Sequence, residues 1–169
     1  VRAMLETAGL PCRECEDMQA WLLCHAALVF PLAGAIFAAG GEQQRFCRTR
    51  DALVLGLRAC REALRALRAS GTQLEPARLG KLLVMPEWLL MRTLAKGFSS
   101  EAARVAMFGH ANAAGGRGEI GGQARLLDEK LRLSGLPLPS WDGLLPWLDP
   151  GTRLDPMPDG SRRLRLRIW

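Results

Sequence analysis

Tyrosine is absent from this 169-residue chain, histidine occurs twice, and lysine contributes only three of the 23 basic residues. Each shortage excludes something. With no tyrosine and only 6% aromatic residues, the chain has no basic ribbon studded with stacking rings, so its net charge of +6 permits an anionic ligand without calling for nucleic acid. No G-x-G-x-x-G turn follows a predicted strand and no P-loop lysine signature occurs, which leaves the chain without a nucleotide cradle of its own. The five cysteines (Cys12, Cys15, Cys24, Cys47 and Cys60) are odd in number and unevenly spaced. That usage fits reduced thiols in a cytoplasmic setting. Cys12 and Cys15 form a C-x-x-C pair, but no second pair stands at zinc spacing, so no metal is expected.

What is present is ordinary for a globular protein: 49% hydrophobic residues, 24% charged residues and a mean hydropathy of +0.02. The length suits one compact domain. The conspicuous feature is the run "MQAWLLCHAALVFPLAGAIFAAGG", residues 18–41, in which His25 is the only strongly polar side chain between Trp21 and Ala39. By length it could cross a bilayer, but it is alanine-rich, contains Pro31 and Gly34, and has arginines on both sides without an inside bias. A buried helix is the expectation, with no membrane partner. Residues 1–20 lack the pattern of a signal peptide.

Helical periodicity dominates the remainder. Thr49 is placed to cap a helix in which Leu53, Leu57, Cys60, Leu64 and Leu67 form one stripe and Arg58, Arg61, Arg65 and Arg68 another, read as a solvated face; Ser70-Gly71 stops it. Pro76 and Pro86 open two further helices, and Ser99 or Ser100 caps a helix-like stretch from Ala102 to Ala114. "AAGGRGEIGGQ" reads as a glycine-rich interruption, followed by the stripe Ile120, Ala124, Leu127, Leu131 that ends at Gly135. Ser140 caps a last helix through Trp147. In "SRRLRLRIW", Leu164, Leu166 and Ile168 alternate with arginines, a strand period that suits an edge strand, a tail or a disordered end. The fold class is all-α, a helical bundle.

The order "AGLP", "DMQAWLLCHAALVFPLAGAIFAAGG", "GHANAAGGRGEI" and "LRLSGLPLPSWDGLL", spread over residues 5–148, resembles the C-terminal helical domain of the ketopantoate reductase (2-dehydropantoate 2-reductase) family. The resemblance implies a bundle similar to the C-terminal domain of 6-phosphogluconate dehydrogenase, which closes a substrate cleft against an N-terminal NADP-binding Rossmann domain and often dimerises. On that reading residues 1–18 are the end of a missing Rossmann domain and its connection, 19–150 the helical domain, and 151–169 an extended tail or edge strand. The chain starts as a fragment would.

The family carries a lysine two residues after a tryptophan, as general acid toward the substrate carbonyl. Here Trp21 is followed by Leu23, which cannot donate a proton. The asparagines expected further along that helix are replaced around Ala27 and Phe30. Glu119 stands where the family binds its substrate hydroxyl, although a glutamate in a first helical turn is favourable whatever the function. His25, His110 and Asn112 complete the candidate substrate-binding set; His25 lies about 200° around a helix from Leu23, so a core or interface role suits it better than that of a replacement acid. The implied function is the substrate-side and dimerisation domain of an NADP-dependent oxidoreductase acting on a 2-oxo acid or related carbonyl. This chain alone is expected to be inactive and to bind no cofactor. The alternative is a non-catalytic helical dimerisation module.

Overall fold

The computed structural model describes residues 2–10, 12, 14–109 and 116–166, and among them every regular element is helical. Helix α1 (Arg2–Thr7) buries none of its residues. Asp17 caps α2 (Met18–Ala38), its carboxylate accepting the Ala20 N–H at 2.8 Å. A short α3 (Gln43–Arg48) leads into α4 (Arg50–Ala69). Then come a 3₁₀ turn (Ala77–Leu79), α5 (Gly80–Val84), α6 (Glu87–Phe98), α7 (Glu101–Ala103) and a π turn (Arg104–Gly109). The last two helices are α8 (Gly116–Arg132) and α9 (Pro139–Leu148).

Helices α2, α4 and α9 pack on one another and form the centre, with α8 laid against all three. Small residues allow this close approach. A Cβ on Gly56 of α4 would stand 2.8 Å from the Ala35 side chain of α2, and one on Gly34 would stand 3.2 Å from Leu144 of α9. Ala27, Ala35 and Ala38 of α2 and Ala52, Ala59, Ala63 and Ala66 of α4 are completely buried. The 18–41 run is therefore a core helix of this fold. By length and composition it is also apolar enough to span a membrane, yet half of its most apolar window is covered by its neighbours.

Helix α4 keeps its predicted apolar stripe, and Leu53, Leu57, Cys60, Leu64 and Leu67 are all buried. Its arginine stripe is not one solvated face. Only Arg65 and Arg68 are exposed. Arg61 is buried, donating to the Leu82 carbonyl at 2.7 Å and to the Met85 carbonyl, so it ties α5 to α4. Arg58 grips Glu87, at the start of α6, through two bonds of 2.9 and 3.0 Å. Thr49 also departs from expectation: its hydroxyl donates backward to the Arg45 carbonyl at 2.8 Å instead of capping α4.

The stretch read as a glycine-rich interruption is helical from Gly116 onward, because Gly118 and Gly122 lie on open faces while Gly121 is small enough to pass the Leu148 carbonyl of α9. The expected stripe Ile120, Ala124, Leu127 and Leu131 is buried, and Gly135 follows it at φ +66°. Of the helix expected from Ala102 to Ala114, the part through Gly109 is realised as the short α7 and the π turn, and residues 110–114 lie outside the described residues. Ser100 does cap, accepting the Ala103 N–H at 3.2 Å, whereas Ser140 does not, α9 being capped from α4 instead. Phe46, Phe98 and Phe108 meet edge-on, with centroids 5.2 to 6.4 Å apart, and bind α3, α6 and the π turn together.

Beyond α9 the chain runs to residue 166 without helix or strand. It is a strap across α3 and the start of α4. Met157 N–H donates to the Ala38 carbonyl at 2.8 Å, and the Asp51 carboxylate accepts the N–H groups of Arg163 and Leu164 at 2.9 and 2.8 Å. With the amides of Arg163 and Leu164 taken by a side chain, these two residues have no need of a neighbouring strand.

Candidate functional site

The first half of α2 separates the predicted site residues onto different faces. Leu23 is half-buried and lines a groove of about 250 Å³ with Gln19, Leu22, Ala26 and Phe30 of α2 and Gln123, Leu126 and Leu127 of α8. Glu119 lies one turn before Gln123 on α8, hence on the same face, and it is exposed with no hydrogen bond or ion pair among the described residues. The groove is apolar apart from its two glutamines. It offers amide groups for orienting a polar ligand, and no titrating group stands at position 23.

His25 does not join it. Its ring is exposed and stacks on Trp21, with centroids 5.0 Å apart and planes 7° from parallel, so a core role is ruled out. Trp21 is part of a second cleft, of about 360 Å³, shared with Glu14, Cys15, Met18, Glu75, Pro76 and Arg78. The 100° advance per residue explains the split: Leu23 turns toward α8, while Trp21 and His25, four residues apart, turn together toward residues 75–78. His110 and Asn112 lie outside the described residues. Among the predicted residues, then, the structure brings Leu23 and the Glu119 face of α8 to one groove and leaves His25 elsewhere.

Gln19 and Gln123 escaped the sequence reading. Nothing in the sequence marked them, since both are exposed amides in stretches that also carry charged residues, and only the packing of α8 on α2 brings them to one groove. The second cleft carried no signal either, because its walls come from segments about 60 residues apart.

The thiols are unpaired, and Cys12 and Cys15 are half-exposed. Cys24 is buried and accepts the Glu75 N–H at 3.4 Å, which fastens the loop after α4 to α2; burial raises its pKa. Burial likewise pushes the Cys60 thiol up to about 12. Among the described residues no three His, Cys, Asp or Glu side chains are grouped to hold a metal. Among the described residues no strand-to-helix glycine loop of the kind that cradles a dinucleotide occurs.

No family model, curated protein or solved structure matches the chain significantly.

Proposed function

We propose that this chain is the substrate-side and dimerising helical domain of a ketopantoate reductase-like, NADP-dependent oxidoreductase, of the bundle type found at the C-terminus of 6-phosphogluconate dehydrogenase. The intact enzyme would pass hydride to a 2-oxo acid or related carbonyl in the cytoplasm, with the cofactor carried by a separate Rossmann domain. One observation carries the reading: position 23, where the family has its lysine, lines an open groove together with the face of α8 that bears Glu119. A family substrate would sit in this groove. Glu119 would accept a hydrogen bond from its hydroxyl, and the amides of Gln19 and Gln123 would orient it. Leu23 supplies no proton, so carbonyl protonation falls to another group.

The apolar lining around Leu23 also favours a second reading, a helical module that pairs copies without catalysis. Met18 and Leu22 of α2 and Leu126 of α8 are 54%, 54% and 68% exposed along and beside the groove. An uncovered patch of this kind attracts a partner, and a symmetric dimer is the common closed solution.

The deciding experiment expresses the intact reading frame and follows NADPH oxidation against a panel of 2-oxo acids. Turnover that falls by about tenfold or more in Glu119→Gln supports the reductase reading. Failure of the intact protein to bind NADPH overturns it in favour of the module. Light scattering on this chain at micromolar concentration should give a dimer mass that Leu126→Glu shifts toward monomer, and a monomer throughout would remove the dimerising role from both readings.

A further inference from the structure

The strap from Met157 to Leu166 is held almost entirely through its main chain. Arg45 donates to the Met157 carbonyl at 2.8 Å, the Thr49 hydroxyl accepts the Gly160 N–H at 3.3 Å, and Asp51 N–H donates to the Ser161 carbonyl at 3.2 Å. Arg50 reaches the carbonyls of both Arg162 and Leu164 at 2.8 Å, and Arg58 reaches that of Arg165 at 2.6 Å. Leu164 and Leu166 turn inward onto the core. This leaves the side chains of Arg162, Arg163 and Arg165 exposed, and among the described residues no carboxylate pairs with them.

The surrounding charge reinforces them. Arg48 and Arg50 lie at the foot of the strap, and the acids bonded there are already engaged: Asp51 by the strap amides, Asp159 by Arg48 at 2.7 Å, and Glu87 by Arg58. The arginines of the region therefore face carboxylates that are occupied. A tail with this charge would ordinarily be mobile, and each arginine would lose entropy on meeting a ligand. Here the backbone is already fixed, so three exposed arginine side chains are presented in succession from an ordered segment.

We propose that this row is a binding surface for the phosphodiester backbone of a nucleic acid, contacted without reading of its bases. Guanidinium groups suit phosphate oxygens because their planar fork donates two parallel hydrogen bonds. The expectation from composition, that scarce aromatic residues disfavour nucleic acid, concerns stacking and base readout; phosphate contacts need neither. An anionic membrane fits less well, because among the described residues the leucines that alternate with these arginines pack inward and leave no apolar side chain on the ridge to enter the lipid interface. The surface lies outside the groove and rests on no feature of the reductase reading.

The test uses the full chain with a fluorescently labelled oligonucleotide, single-stranded and duplex, and measures anisotropy from low to physiological salt. Arg162→Ala/Arg163→Ala/Arg165→Ala should keep the helical circular dichroism, since these side chains hold nothing in the fold, and should reduce the slope of log affinity against log salt by about 3. Arg163→Glu alone should weaken binding by more than any single alanine. A control that removes Arg65, Arg68 and Arg92, exposed arginines elsewhere, should change the slope far less. The proposal is overturned by no binding at low salt, by equal losses in ridge and control variants, or by tighter binding to phosphatidylserine vesicles than to either oligonucleotide.

Discussion

Glu62, in the middle of α4, caps α9: its Oε2 accepts the N–H of Ser140 at 2.8 Å and that of Trp141 at 3.0 Å. The bond joins two central helices through a carboxylate at the positive end of a helix, where both the free N–H groups and the dipole favour negative charge. Pro139 occupies the first helical position, and Leu138 before it has no side-chain cap to offer. Removing this cap with Glu62→Ala should cost about 1 kcal/mol or more in urea denaturation, and Glu62→Gln, which keeps an acceptor, should cost less.

The Arg58–Glu87 pair should be far more sensitive. Their side chains are only 14% and 2% exposed, and the bidentate geometry compensates for taking both charges out of water. Arg58→Met takes that partner from a carboxylate that stays buried, so a loss of about 3 kcal/mol or more is expected. The double variant Arg58→Met/Glu87→Met should recover much of it. A double variant as unstable as the sum of its singles would show that the two residues act independently.

Acid should loosen the strap through Asp51. Burial raises its pKa, but the hydrogen bonds from the Leu164 and Arg163 amides outweigh this and hold it below the usual carboxylate value. A group with a depressed folded pKa contributes fully at neutral pH and loses that contribution as pH falls through the lowered value. The urea midpoint should therefore drop below about pH 4, and Asp51→Asn should be less stable at pH 7 and show a shallower drop. Part of the slope should remain in that variant, because Glu101, Asp149 and Asp159 are also held low by their own partners.

Adjacent glycines of α8 should respond to alanine with opposite signs. At Gly122 a Cβ meets nothing within 4 Å, so Gly122→Ala removes backbone entropy from the unfolded chain and should stabilise by about 0.5–1 kcal/mol. At Gly121 the Cβ would overlap the Leu148 carbonyl oxygen, and Gly121→Ala should destabilise by about 1–3 kcal/mol. Thermal denaturation of the two variants decides it; melting shifts of the same sign would mean that α8 and α9 are not packed as described.

Local chemistry was readable along the chain. The apolar stripes of α4 and α8, the stop at Ser70-Gly71, the opening of α6 at Pro86 and the Ser100 cap all depend on neighbours within a few residues, and the helical character of the 18–41 run follows from its composition. The groove was legible in part, since helical geometry already separated Leu23 from His25 by direction. Tertiary structure decided what depends on partners distant in sequence. Arg58 and Arg61 look identical to Arg65 and Arg68 in the periodicity, yet Glu87 and the carbonyls of Leu82 and Met85 draw the first two inside. Ser140 had the composition of a cap, but Glu62 reaches those amides from 78 residues away. The glycines after Gly116 looked like an interruption because propensity weighs each against alanine; packing on Leu148 required one of them, and the buried stripe beside it carried the helix through. Likewise the alternation at 161–166 had the period of a strand, and the carboxylate of Asp51 made it a strap by satisfying the Arg163 and Leu164 amides that a strand would have offered to a neighbour.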